Sequence, residues 1–165
     1  MIIDGDVMSS VLTKKGLAQS LKQLMQRQPL AKISIQEIVD NCGVNRQTFY
    51  YHFQDKYDLV NWIYNTEGVE NIEVYNKSDT WVEGISLILH YLMDNRAFYV
   101  NALNATGPNT FQEHLLNATH SLIIKVVQEL TGDMIIDPLD AKLIASFYTH
   151  AFVGVTIQWI KEGMR

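Results

Sequence analysis

The chain has 165 residues, 47% of them hydrophobic, with a formal net charge of −5, enough apolar material for one sizeable core or two small ones sharing a helix. Its one cysteine excludes an internal disulfide, and Cys42 has no Cys or His at metal-ligand spacing, so it reads as a small buried apolar residue in a reducing compartment. The acidic start MIIDGDVMSS lacks the bases of a secretory signal, and no unbroken apolar run approaches the ~18 residues that span a bilayer, so no membrane is expected and the protein is read as cytoplasmic.

Charge is unevenly distributed. Residues 1–60 carry seven Lys or Arg against six acids, whereas 61–165 carry six against twelve; the first part is thus free to approach a polyanion. Only three prolines and nine glycines interrupt apolar residues that recur at helical spacing, so an all-α protein is expected. A first helix is predicted over 9–27. SIQE, with Ser34 and Glu37 at capping-box spacing, starts a short helix over 34–41, and Asn45 caps another over 45–52. A longer helix over 56–72 passes through Trp62 and Tyr64. TWVE (Thr80, Glu83) opens 80–93, a short helix follows over 96–103, TFQE (Thr110, Glu113) opens 110–130, and Asp137-Pro138 opens a last helix to 162. No repeat or linker separates the parts. Residues 1–56 are read as an N-terminal three-helix domain, joined by the connecting helix to a C-terminal antiparallel helical domain, 57–165.

Only Cys42-Gly43-Val44 lies between the second and third helices, the helix-turn-helix arrangement. Ile35, Ile38 and Val39 can meet Val44, Phe49 and Phe53 in a small core backed by Leu17, Leu21 and Leu24. At 100° per residue, Phe49 and Phe53 define the inner face of the third helix, while Gln47, Thr48 and Tyr51 point outward, joined by Arg46. That set suits a major groove of double-stranded DNA. Arg can pair with guanine, Gln with adenine, and Thr or Tyr can touch a thymine methyl or a phosphate. Tyr50, His52 and Lys56 flank the helix with donors for phosphates. An isolated Arg-Gln-Thr on a helix is ordinarily only a solvated face; the weight here comes from order and spacing together.

The first sixty residues resemble the TetR family of helix-turn-helix regulators. The likeness runs from TKKGLAQSLKQLMQ through ISIQEIVDNCGV to NRQTFYYHFQDKYDL, whose F-Y-Y-H-F-x-x-K core is close to the family signature. The resemblance implies that Tyr50, His52 and Lys56 bind phosphate and that the start of the recognition helix reads bases. QTFYYHF followed by DKYDLVNWIY is most similar to the DhaS-type subgroup, associated with control of dihydroxyacetone-kinase genes. Most of the family are repressors released by small ligands; that subgroup is associated with activation through a co-activator protein resembling dihydroxyacetone kinase. TetR-like chains usually continue into a further helix that completes a four-helix dimer interface, whereas this sequence ends at KEGMR, so the interface is expected to be reduced or the sequence to continue.

Residues 61–165 hold twelve of the seventeen aromatics and four of the five histidines, content that can line a pocket between helices. A small ligand or partner protein is placed among His90, Tyr91, Tyr99 and Phe147, where it would tilt the connecting helix through Trp62. Taken singly, each of these residues is more often packing. A zinc-sensing regulator is the sharper alternative, but His114 and His120 lie on opposite faces of one helix and no CxxC or HExxH pattern occurs, so no metal and no cofactor are expected. Nothing resembles a catalytic constellation: GxSxG, a phosphate-cradling glycine loop and paired carboxylates in an apolar setting are all missing. A helical adaptor that never touches DNA would have no need of Arg46 and Lys56 beside outward tyrosines. Two-fold operators predict a homodimer, with Ala141, Ala145, Ala151 and Gly154 allowing close approach along the last helix and Phe152, Ile157 and Trp159 adding contact area.

Overall fold

The computed structural model describes residues 3–70, 81–107, 109–132 and 137–165, and every regular element among them is helical. The helices are α1 (Ile3–Met25), α2 (Ile35–Cys42), α3 (Arg46–His52), α4 (Lys56–Ile63), α5 (Trp81–Asp94), α6 (Arg96–Leu103), α7 (Phe111–Thr131) and α8 (Pro138–Lys161). Two expected boundaries differ. The first helix begins at Ile3, six residues early, because a nucleated helix extends at low cost into residues that tolerate it. The connecting helix keeps regular α geometry only to Ile63 and then widens into a π segment, Tyr64–Val69. Residues 71 and 72 of that expected helix, and Thr80 of TWVE, lie outside the described residues.

Local signals set the helix starts. The Ser34 hydroxyl accepts from Glu37 N at 3.2 Å while the Glu37 carboxylate accepts from Ser34 N at 2.7 Å; Thr110 and Glu113 repeat the pattern. Asp137 accepts from Leu139 N at 2.8 Å, with Pro138 in the first turn of α8. Between α2 and α3 the chain reverses at Gly43, whose φ of 74° is a left-handed conformation that costs a glycine little. Val44 N then donates back to Val39 O at 3.0 Å, closing the end of α2.

Leu17 and Leu21 of α1, Ile38 and Val39 of α2 and Phe49 of α3 are all fully buried against one another. Ser20 donates to the Ile38 carbonyl at 2.7 Å, fixing α1 on α2. This core does not stop at the end of the helix-turn-helix. Through Leu59, Ile63 and Tyr64 it continues into Leu92, Tyr99, Phe111 and Ile160, so of the two expected arrangements the chain adopts the single core. In the second half α7 and α8 pack along each other, α6 rests on α1 and α8, and α5 leans on the π segment and α6.

Candidate nucleic-acid interface and effector cavity

Helix α3 is short, so its placement depends on its ends and its inner face. Asn45 caps it by accepting from Thr48 N at 2.8 Å, and Phe49 and Phe53 anchor it in the core. Arg46 and Gln47 are exposed beside the helix N-terminus, and Tyr51 is 83% exposed at the far end. The Arg46 guanidinium stacks on the Tyr50 ring at 5.9 Å and lies 3.3 Å from its hydroxyl, an i,i+4 pair that holds both side chains outward. Tyr51 meets the half-buried His52 edge to face at 4.9 Å. Burial lowers the His52 pKa below the ordinary histidine value, and Lys14 nearby pushes the same way.

Two predicted contacts are differently engaged. Thr48 is half-buried as a residue, and its hydroxyl, at the exposed end, donates to Asn45 Oδ1 at 3.1 Å. Lys56 is turned inward: its ammonium donates to the carbonyls of Leu30, Ala31 and Ile33 at 2.8, 3.1 and 2.7 Å. An ammonium has three protons, and these carbonyls take all three. In the protein without DNA these bonds tie α4 to the 3-10 turn Leu30–Lys32 and to Ile33 just after it. Burial lowers the Lys56 pKa, while Glu37 and Asp55 work to raise it.

The π segment is where the halves meet. Its Glu67 forms an ion pair with Lys22 of α1 and accepts from the Tyr91 hydroxyl of α5 at 3.2 Å; Tyr91 in turn accepts from Tyr99 of α6 at 2.8 Å. Asn65 of the same segment bonds His114 of α7 at 2.8 Å, and a Cβ at Gly68 would come within 3.0 Å of the Tyr91 ring. Burial raises the phenol pKa values of Tyr64, Tyr91 and Tyr99, so all three remain neutral donors. Asn101 of α6 adds a second tie: its amide accepts from Leu30 N at 2.7 Å and donates to the carbonyls of Met25 and Gln28, each at 3.0 Å.

Beyond this hub, an apolar cavity of about 450 Å³ lies between α5, α7 and α8, walled by side chains such as Ile85, Leu89, Leu122, Ile123 and Phe152, with Tyr64 at its edge. A family model described as bacterial regulatory proteins, tetR family, matches residues 19–63. A second, described as transcriptional regulator C-terminal region, matches 79–165. The chain belongs to the TetR family of transcriptional regulators. Among relatives of this TetR-family chain, the HTH-type dhaKLM operon transcriptional activator DhaS of Lactococcus lactis subsp. lactis (strain IL1403) is 29% identical over 156 residues, covering 93% of this chain and 82% of that protein. The solved structure of a dihydroxyacetone kinase operon activator DhaS superposes with a TM-score of 0.67 at 29% identity, covering 93% of this chain and 86% of the other. NalD, the secondary repressor of the MexAB-OprM multidrug efflux pump in Pseudomonas aeruginosa, shares the fold at a TM-score of 0.60 and 20% identity, covering 93% of this chain and 86% of its own. These relatives are regulators and not enzymes.

The predicted ligand residues do not converge on the cavity. Tyr91 and Tyr99 are joined to each other in the hub, His90 is exposed and bonds its own helix at Ser86 O (2.7 Å), and Phe147 is 68% exposed on α8. Aromatic side chains at these positions resemble a pocket lining, whereas the cavity is walled mostly by Ile, Leu and Val, whose pattern in a sequence is that of a filled core. Trp62 packs on Phe53 at 5.8 Å and under the Lys14 ammonium, toward the end of α3 and α1. Among the described residues, no three His, Cys, Asp or Glu side chains gather to hold a metal.

Of the α8 residues expected at the contact, Ala151, Phe152 and Gly154 are exposed while others turn toward the core. Ala145 is fully buried with Thr149, Val153 and Ile160, and Ile157 and Trp159 are half-buried against the core. The apolar stripe facing outward is Leu139, Leu143, Phe147, Ala151 and Val155, at i,i+4 spacing, with Gly154 open beside it.

Proposed function

We propose that this regulator binds a two-fold operator as a homodimer, each chain reading base edges with Arg46, Gln47, Thr48 and Tyr51 and holding phosphates with Tyr50 and His52. The observation that carries this is the pairing of a locked inner face, Phe49 and Phe53, with an outer face left exposed and stacked for contact. Two recognition helices must reach half-sites about 34 Å, one DNA turn, apart. The apolar stripe of α8 supports the dimer: α8 is 24 residues long with a mean hydropathy of 1.3 over its most apolar window, and a partner's α8 would cover the exposed side chains. Residues 1–56 act as the reading domain and 57–165 as the effector and dimerisation domain, in the cytoplasm where the operator lies.

The likeness to an activator of a dihydroxyacetone kinase operon supports the same class of target for this chain. Control then passes through a small ligand or a kinase-like co-activator protein acting on the second half. The test is selection of bound duplexes from a random library, followed by binding of the enriched site by Arg46→Ala and Gln47→Ala. Each substitution is expected to cost about 1–3 kcal/mol at one operator position and to relax selectivity there. Loss of stability without loss of selectivity would overturn the reading.

A further inference from the structure

The cavity between α5, α7 and α8 says more about its occupant than its position does. None of its eighteen lining residues carries a charge, and its polar groups are two tyrosines, two threonines and the backbone of one glycine. An ionised ligand would leave water for this lining with no counter-charge, at a cost that few neutral contacts can offset. Volume places it within the ordinary range for small-molecule sites, about 300–1,000 Å³.

Tyr64 adds an orienting group. It is 3% exposed, its ring packs edge-on against Tyr99 and Phe111, and its hydroxyl has no hydrogen-bond partner among the described residues. Tyr64 is one of the residues that line the cavity. A buried hydroxyl left unpaired is costly, so a ligand acceptor placed there is favoured. Thr119 and Thr156, also on the wall, bond no acceptor among the described residues, whereas the fully buried Thr149 satisfies itself on Ala145 O at 2.7 Å.

We infer that the cavity takes an uncharged, predominantly apolar small molecule bearing a carbonyl or similar acceptor that the Tyr64 hydroxyl meets, with Tyr64 setting specificity. Phosphorylated and carboxylated metabolites are excluded from it. This rests on the reading of the second half as the effector domain. Tyr64 also begins the π segment, so a ligand held by it touches the element that joins α4 to the rest of the protein.

The probe is diphenylhexatriene, a fluorescent hydrocarbon, displaced by 2-undecanone or by undecanoate, neutral and anionic molecules of equal length. The ketone is expected to displace it at least about ten-fold more effectively than the carboxylate. Tyr64→Phe is expected to weaken the ketone about five-fold while leaving the hydrocarbon unchanged. Ile123→Trp, which fills the cavity, is expected to abolish both, with circular dichroism checking its fold. Equal displacement by undecanoate, or full ketone affinity in Tyr64→Phe, overturns the inference. Fluorescence anisotropy on the selected operator keeps the two readings apart. If the ketone binds as expected and operator affinity does not move, the effector reading falls and the ligand class stands.

Discussion

Lys22 of α1 and Glu67 of the π segment form an ion pair that spans the two halves of the protein, at the point where Tyr91 also reaches Glu67. The pair is partly exposed, so its contribution to global stability is small, about 0–1 kcal/mol. Its position makes it a coupling element. Glu67→Gln is expected to leave the melting temperature nearly unchanged and to lower hydrogen-exchange protection across Tyr64–Val69. Trp62→Ala, by contrast, is expected to disturb the Phe53 side of α4 more than this segment. Unchanged exchange in Glu67→Gln would show that the π geometry is held by Asn65 and packing alone.

Lys56→Ala removes the three hydrogen bonds to the carbonyls of Leu30, Ala31 and Ile33. The expected outcome is a loss of about 1–3 kcal/mol in denaturant unfolding. The slope of log affinity for operator against log salt should stay within about half a unit of the parent, since no phosphate contact is lost. A slope reduced by about one would assign Lys56 to DNA instead.

His52 is held below its ordinary pKa by burial, with Lys14 adding to the effect. A bound phosphate would favour the imidazolium and raise that value in the complex. Because the complex then binds more protons than the free protein, operator affinity should climb as pH falls from about 8 to 5.5 and decline as it rises. Anisotropy titrations across that range would show it, and His52→Gln should flatten the profile. A pH-independent parent would remove His52 from the phosphate contacts.

Leu143 and Phe147 stand one turn apart on the outward stripe of α8, 67% and 68% exposed. Charging both, as Leu143→Glu with Phe147→Glu, is expected to give a folded monomer by sedimentation and to weaken operator binding at least about ten-fold, since one short helix then reads one half-site. A variant that remained dimeric would place the interface elsewhere.

The Glu37 carboxyl, held by the Ser34 backbone, Gln28 and the Ser34 hydroxyl, is lowered to about 2. A depressed folded value contributes stability that is complete above the ordinary glutamate pKa and is lost as pH falls through the folded one. Glu37→Gln should therefore narrow the difference from the parent between pH 4.5 and about 2. Thermal melts taken at half-unit steps would detect it; parallel curves would mean that the capping box does not hold the Glu37 carboxyl below its ordinary value.

The features that the sequence alone determined are those whose physics is local. Capping at Ser34, Thr110 and Asp137, the reversal at Gly43, and the outward turn of Arg46 and Gln47 opposite Phe49 depend on residues three or four apart. The family signature lies in the same short stretch. Tertiary structure decided the rest. Lys56 looks identical in sequence whether its ammonium meets a phosphate or three carbonyls more than twenty residues away. Which stripe of the apolar α8 turns inward, Ala145 or Leu143, depends on α7 packing beside it, because a helix apolar all round carries no preferred face. The cavity was illegible for a related reason: Ile, Leu and Val lining a space have the same pattern as those filling one, and only the packing of α5 on the π segment and α6 leaves that space between it and α7 and α8.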